Sequence, residues 1–200
     1  MKALITGFAP FGGEVCNPSI DAVRMLPDLI SGVEIYKAEI PTVFGLSGEV
    51  LRGNYERIRP DIVISVGQAG GRAGISVEKV AINYIYASRP DNAGAAPFDV
   101  PIIEGAPDAY FSTLPVTGIV KALDEAGISA GISYSAGVYV CNELFYNLMH
   151  MTAGEQHVRA GFIHVPYSAE QAGERQVPSM PLDMICEALR TAVIAAAETI

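Results

Sequence analysis

Cys141, in the run Ser135-Ala136-Gly137-Val138-Tyr139-Val140-Cys141-Asn142, and His164, in Gly161-Phe162-Ile163-His164-Val165-Pro166, are the side chains best suited to covalent chemistry. A thiol attacks a carbonyl as its thiolate, and both a nearby imidazole and a helix N-terminus favour that anion. Either residue alone has an ordinary structural explanation: free cysteines on apolar helix stripes are usually small packed hydrophobes. What makes the pair informative is the chain between them, which reads as a strand, a helix and a second strand.

The apolar positions after Cys141 are Leu144, Phe145, Leu148 and Met149, a spacing of three and four that predicts a helix ending near Gly154. Gly137 breaks the chain just upstream, so Cys141 falls in the first helical turn, where free N–H groups and the macrodipole favour negative charge. Residues Arg159 to Val165 read as a buried strand stopped by Pro166, and Ile128 to Ser133 as a short strand before the helix. A right-handed crossover would make these strands parallel and bring Cys141 and His164 to one carboxyl edge of a sheet.

The remaining segments extend this alternation. Ala3 to Thr6, Val33 to Ile40 and Asp61 to Val66 read as strands, the last a continuous apolar run. Helices are expected from Asn17-Pro18-Ser19, with Asn17 as N-cap and Pro18 in the first turn, and over Leu46 to Ile58, Leu114 to Ala126 and Leu182 to Ala197. The inward positions would be Leu46, Val50, Tyr55 and Ile58 on the second, and Leu182, Ile185, Cys186, Leu189 and Val193 on the last. Ile75 to Ile85 is extended. Tyr86 to Ala109, with Pro90, Pro97, Pro101 and Pro107, and Gly173 to Pro181 read as loops. The fold class is α/β: one three-layer α/β/α domain over residues 1–200 with a largely parallel, twisted central sheet.

Composition limits the function. Half of the 200 residues are hydrophobic, enough for a substantial core. A net charge of −9, with no basic run, disfavours nucleic acid. No segment is long and apolar enough to span a membrane, and the first residues, Met1 to Gly7, do not form a signal peptide. Three cysteines, Cys16, Cys141 and Cys186, form neither a disulfide framework nor a zinc spacing, so no metal or cofactor is expected and a reducing cytoplasm is the expected setting.

Two glycine-rich turns follow strands, Gly7 to Gly13 and Gly67 to Arg72; neither is a dinucleotide or P-loop fingerprint. They are either tight strand exits or backbone that approaches a ligand. Phe8 and Phe11 flank the first, and Gln68 opens the second. Glu78 lies where Ile75, Val77, Val80 and Ile82 lose strict alternation, so it is either on a solvated strand face or drawn inward as a partner for a histidine. Asp91 in the long loop is the competing acid.

Six segments in order carry a resemblance: Thr6 to Gly13, Asn17-Pro18-Ser19, Gly67 to Arg72, Pro90-Asp91-Asn92, Ala136-Gly137 through Cys141-Asn142, and Gly161 to Pro166. Together they resemble the pyroglutamyl-peptidase I (pyrrolidone-carboxylate peptidase) family of cysteine peptidases, from Met1 to about Gln171. The resemblance implies hydrolysis of the bond after an N-terminal pyroglutamyl residue of peptides through a thioacyl-enzyme, with a triad of Glu78, Cys141 and His164. It implies a ring pocket shaped by Phe8, Phe11, Gln68 and Val140. It also implies a cytosolic homotetramer, a dimer of dimers, that needs no metal. The family usually carries Arg-Ile-Pro-Asp-Asn where this chain has Ser88-Arg89-Pro90-Asp91-Asn92, and Tyr139 stands where many relatives have Phe. Two other classes fit the residues alone: a phosphate-dependent, nucleoside phosphorylase-like enzyme using Arg72, or a non-catalytic binding module.

Overall fold

The computed structural model describes residues 1–200. In chain order its strands are β1 (Lys2–Phe8), β2 (Leu29–Ile30), β3 (Val33–Ile40), β4 (Ile62–Gln68), β5 (Ile75–Glu78), β6 (Val80–Ile82), β7 (Ile85–Tyr86), β8 (Phe98–Val100), β9 (Ala109–Phe111), β10 (Ala130–Ser133), β11 (Arg159–Val165), β12 (Tyr167–Ser168) and β13 (Ser179–Met180). Its helices are α1 (Pro18–Met25), α2 (Leu46–Ile58), α3 (Val116–Glu125), α4 (Val140–Thr152), α5 (Ala169–Ala172) and α6 (Leu182–Ala197).

Seven strands form the central sheet in the order β10-β5-β11-β4-β1-β3-β2. The neighbours β11, β4, β1 and β3 are parallel, and β11, β4 and β1 are buried on both faces, which is why Ile62 to Val66 reads as an unbroken apolar run. One core, built on Ile5, Ile64, Val66 and Ile163, lies between the sheet and α1, α3 and α6. A second, built on Leu4, Val63, Phe145 and Phe162, lies between the sheet and α2 and α4. Helix, sheet and helix are thus stacked in three layers.

The topology departs from a simple crossover. β10 does not lie beside β11. The strand β5 lies between them, parallel to β10 and antiparallel to β11, so β10 and β11 run in opposite directions. Hydrophobic pattern records burial and not direction, and β10 is a four-residue edge strand of half-buried residues that carries little register information. The inserted antiparallel strand sets Glu78, the last residue of β5, directly opposite Phe162 on β11.

Smaller differences have equally local causes. The loop from Tyr86 to Ala109 contains β8, which folds back on β7, and its end is the start of β9, which pairs with β6; the segment Gly173 to Pro181 likewise holds β13. The inward face of α2 is Ser47, Leu51, Tyr55 and Ile58, whereas Leu46 at its first turn is exposed and Val50 only partly buried. Along α6 the packing is made by Ile185, Leu189 and Val193 with three alanines, and Leu182 and Cys186 are only partly buried. The N-terminal signals of α1 act as expected: the side chain of Asn17 accepts the Ser19 N–H at 3.1 Å and Pro18 occupies the first turn.

Packing is tight at the carboxyl end of β4, beside the cysteine. A Cβ on Gly67 would lie 2.8 Å from Cζ of Phe162 and 3.0 Å from Sγ of Cys141. Glycine is required here by space. Gly67→Ala should therefore displace the Phe162 ring or the Cys141 sulfur and destabilise the chain by about 1–3 kcal/mol. The check is the urea midpoint, which should fall at unchanged m-value; an unmoved midpoint would show that the site has slack.

Candidate active site

α4 carries Cys141 in its first turn, as its apolar spacing predicts, with Leu144, Phe145 and Leu148 fully buried. The turn from Tyr134 to Tyr139 reverses at Gly137, whose φ of 79° is open to glycine at little cost. Tyr139 is the N-cap and supplies no side-chain hydrogen bond, so the first N–H groups of the helix stay uncapped beside the sulfur.

The two residues after Cys141 lock this turn. The Asn142 amide accepts the Ile82 N–H at 3.1 Å and donates to the carbonyls of Ile82 and Tyr84 at 2.9 and 3.1 Å. The Glu143 carboxylate accepts the Gly45 N–H at 2.8 Å and the Ser47 hydroxyl at 2.6 Å. Burial raises the Glu143 carboxyl above its ordinary value despite these two donors.

His164 is the penultimate residue of β11 and pairs in register with Gly67 of β4 on one side and Ser76 of β5 on the other. Its Nδ1 lies 2.7 Å from Oε1 of Glu78, and the two side chains are 4% and 0% exposed. Of the two readings of Glu78, the inward one is correct. The same Oε1 accepts Nη1 of Arg72 at 2.7 Å, while Nη2 of Arg72 donates to the Ser135 carbonyl at 3.1 Å. Oε2 of Glu78 makes no hydrogen bond. Asp91, the competing acid, is elsewhere: it accepts the N–H groups of Phe44, Ala93 and Ala95 and so shapes its own loop.

The electrostatics follow from burial and these partners. Burial opposes ionisation of Glu78, but His164, with Ser133 and Arg72, outweighs it and holds the carboxyl below its ordinary value. Burial also lowers the His164 pKa; Glu78 resists this and Arg72 adds to it. The same burial pushes the Cys141 thiol up to about 12, with the Glu78 charge acting in the same sense and Arg89 and Arg72 against it. Burial thus opposes a preformed thiolate. With Nδ1 hydrogen-bonded to a carboxylate, the ring proton resides there, and Nε2 is left as a base.

Cys141 and His164 line one cavity of about 200 Å³ together with Phe8, Phe11 and Gln68. Thus five of the seven residues nominated from sequence meet around one space, and Glu78 lies behind the imidazole. Val140 is not part of it: its side chain is fully buried in the apolar cluster under α4 and does not line the cavity. In a first helical turn, adjacent residues face different directions, so a residue next to a reactive one need not share its pocket.

Other walls come from residues outside those seven. Arg72 was considered for phosphate, yet it is committed to Glu78. Arg89 lies against the rings of Phe11 and Tyr139 on the same cavity wall. Gln171, remote in sequence, makes a reciprocal amide pair with Gln68 at 3.1 and 3.4 Å, a contact that only the tertiary fold could reveal. No group of three or more His, Cys, Asp or Glu side chains is placed to hold a metal ion.

A family model described as pyroglutamyl peptidase matches residues 1–199. A pyrrolidone-carboxylate peptidase of Thermococcus onnurineus is 52% identical over 94% of this chain and 94% of that protein. The Enterococcus faecalis protein of the same name is 48% identical over 100% of this chain and 94% of its own length. Among solved structures, pyroglutamyl peptidase I of Bacillus amyloliquefaciens superposes with a TM-score of 0.95 at 46% identity, covering 98% of this chain and 94% of that one. A mutant pyrrolidone carboxyl peptidase of Pyrococcus furiosus gives 0.95 at 47% identity with both chains covered in full. The chain belongs to the pyroglutamyl peptidase family, a family of cysteine peptidases.

Proposed function

We propose that residues 1–200 form one catalytic domain that hydrolyses the bond after an N-terminal pyroglutamyl residue, with Cys141 as nucleophile, His164 as acid and base, and Glu78 orienting the imidazole. The observation that carries this reading is the juxtaposition of an uncapped helix N-terminus, the Cys141 sulfur and a carboxylate-bound imidazole at one cavity walled by Phe8 and Phe11.

In this mechanism the sulfur attacks the pyroglutamyl carbonyl carbon while the thiol proton passes to Nε2 of His164. Transfer is coupled to attack, because desolvation disfavours the separated ions beforehand. First-turn N–H groups of α4 receive the developing oxyanion, each donor typically contributing about 3 kcal/mol to the transition state. The tetrahedral adduct collapses, the C–N bond breaks, and His164 returns its proton to the departing amine. Water, deprotonated by His164, then adds to the thioester; cleavage of the C–S bond releases pyroglutamate and restores the thiol. Glu78 stays ionised throughout and stabilises the transient imidazolium.

The small cavity suits an uncharged lactam. Two aromatic walls provide apolar contact, and Gln68, fixed by Gln171, offers its remaining amide capacity to the ring. An N-terminal glutamyl or glutaminyl residue would bring an ammonium group into this space without a partner. The phosphate-dependent alternative loses its principal cation, since Arg72 is already neutralised by Glu78.

The reading extends to substrate and setting: N-terminally pyroglutamylated peptides, in a reducing cytoplasm where Cys141 stays free beside Cys16 and Cys186. No helix is long and apolar enough to cross a membrane. It extends also to a homotetramer. Support for self-association comes from the β7–β8 hairpin, where the tilted rings of Tyr86 and Phe98 lie 4.4 Å apart yet are 43% and 60% exposed, an apolar patch that a partner surface would cover.

Three outcomes are expected. Wild-type protein should hydrolyse a pyroglutamyl arylamide and not the glutaminyl one, and Cys141→Ala should lose at least about 10⁴-fold in kcat/KM; equal rates on both substrates, or an active variant, would end the assignment. In the pH profile of kcat/KM, the acid limb reports His164 losing its role as base when protonated. Because its pKa is lowered, that limb should lie below about 6.5. Glu78→Gln removes the influence that raises this pKa, so the limb should move to still lower pH while the plateau falls; a shift to higher pH would contradict the role of Glu78. Sedimentation velocity should give a four-chain mass and Phe98→Asp a smaller one; a 21.2 kDa species in the wild type at micromolar concentration would exclude the tetramer.

A further inference from the structure

We propose that Arg89 forms a carboxylate-binding subsite on the leaving-group side of the scissile bond, so that the enzyme favours peptides with an anionic residue directly after pyroglutamate. The proposal rests on the reading of the Cys141 cavity as the pyroglutamyl site.

Beside that cavity lies a second, of about 410 Å³, and the two share Phe11, Gln68, Ala69 and Arg89 as a common wall. A substrate whose ring fills the smaller space and whose reacting carbonyl meets Cys141 must continue outward, and the larger, adjoining space is the one that shares the wall. Arg89 stands at that passage. Its guanidinium carbon lies 5.0 Å from the Phe11 ring centre and 5.4 Å from that of Tyr139, so two aromatic surfaces orient it. The Tyr139 hydroxyl donates to the Pro90 carbonyl at 2.9 Å, which fixes that ring in turn.

What distinguishes Arg89 is the absence of a counter-charge. Arg72, the other guanidinium at the cavity, is paired with Glu78 at 2.7 Å. Glu14, which lines the second cavity, is paired with Arg175 at 2.8 Å. Asp91, two residues on, is saturated by backbone N–H groups. Arg89 has no carboxylate within ion-pair distance, in a chain whose net charge is −9. An acidic protein that keeps one oriented, unpaired arginine where its substrate must pass presents a planar fork that matches a carboxylate. That carboxylate has two sources, the side chain of an Asp or Glu after pyroglutamate, or the α-carboxylate of a pyroglutamyl dipeptide.

Two substrate pairs separate them: pyroglutamyl-glutamyl amide against pyroglutamyl-glutaminyl amide, and pyroglutamyl-alanine against its amide. Wild-type kcat/KM should favour the anionic member of one pair by about 3- to 10-fold, the range expected of a partly exposed charge pair. The preferred pair identifies the source. Arg89→Gln should bring that ratio close to one, Arg89→Lys should keep part of it, and added salt should shrink it in the wild type. If the wild type cleaves all four with both ratios near one, or if Arg89→Gln keeps the preference, the subsite is wrong and the pyroglutamyl reading stands. If none of the four is cleaved by a folded wild-type protein, the underlying reading fails and the subsite with it.

Discussion

The contact between His164 and Glu78 constrains everything around it. A carboxylate with no exposed surface costs several kcal/mol in lost hydration unless it is surrounded by donors, and here one oxygen accepts both an imidazole nitrogen and a guanidinium. That arrangement fixes the imidazole tautomer, leaves Nε2 as the only nitrogen able to take a proton, and explains why Arg72 closes over the end of β5. It also explains the strand order. Glu78 reaches His164 because β5 enters the sheet antiparallel between β10 and β11, which sets its carboxyl end against Phe162 at the middle of β11, two residues from the imidazole.

The other half of the site is held by different means. Cys141 is positioned by a helix whose first turn is anchored on both sides, by Asn142 to the β6–β7 segment and by Glu143 to the start of α2. These are polar contacts to backbone and hydroxyl groups, made by the residues that immediately follow the cysteine, so a shift of the helix along its axis would break several at once. Gly67 then allows the sulfur to rest against the β4 backbone with no side chain between them. The sheet fixes the imidazole, the helix fixes the sulfur, and Gly67 sets how closely the two supports approach.

Much of this was legible in the chain. The apolar run of β4, the spacing of Leu144, Phe145, Leu148 and Met149, and the Asn17-Pro18 start each report burial or capping through local chemistry, and each element forms where those signals lie. The broken alternation around Glu78 recorded a real event: β5 ends there and β6 starts two residues later in another sheet. What the chain did not reveal is pairwise. Strand direction at β10, the Gln68–Gln171 amide pair and the Arg72–Glu78 bridge depend on which segments meet after the chain has folded. Val140, which the resemblance implies for the ring pocket, turns its side chain into the core, a direction set by the helix it starts.

The burial around the cavity and its charges must be considered together. Desolvation disfavours the charged forms of the thiol and the imidazole, which at first sight weakens the nucleophile. It also makes the site hospitable to an uncharged ring and hostile to an N-terminal ammonium, so selectivity and a high thiol pKa have one cause. The electrostatic help then has to come from groups that act when charge develops: the uncapped N–H groups of α4 toward the oxyanion, and Glu78 toward the imidazolium. The two guanidiniums divide along the same line. Arg72 is neutralised inside the machinery and stabilises Glu78, while Arg89 remains uncompensated on the wall that the ring cavity shares with the space beyond it.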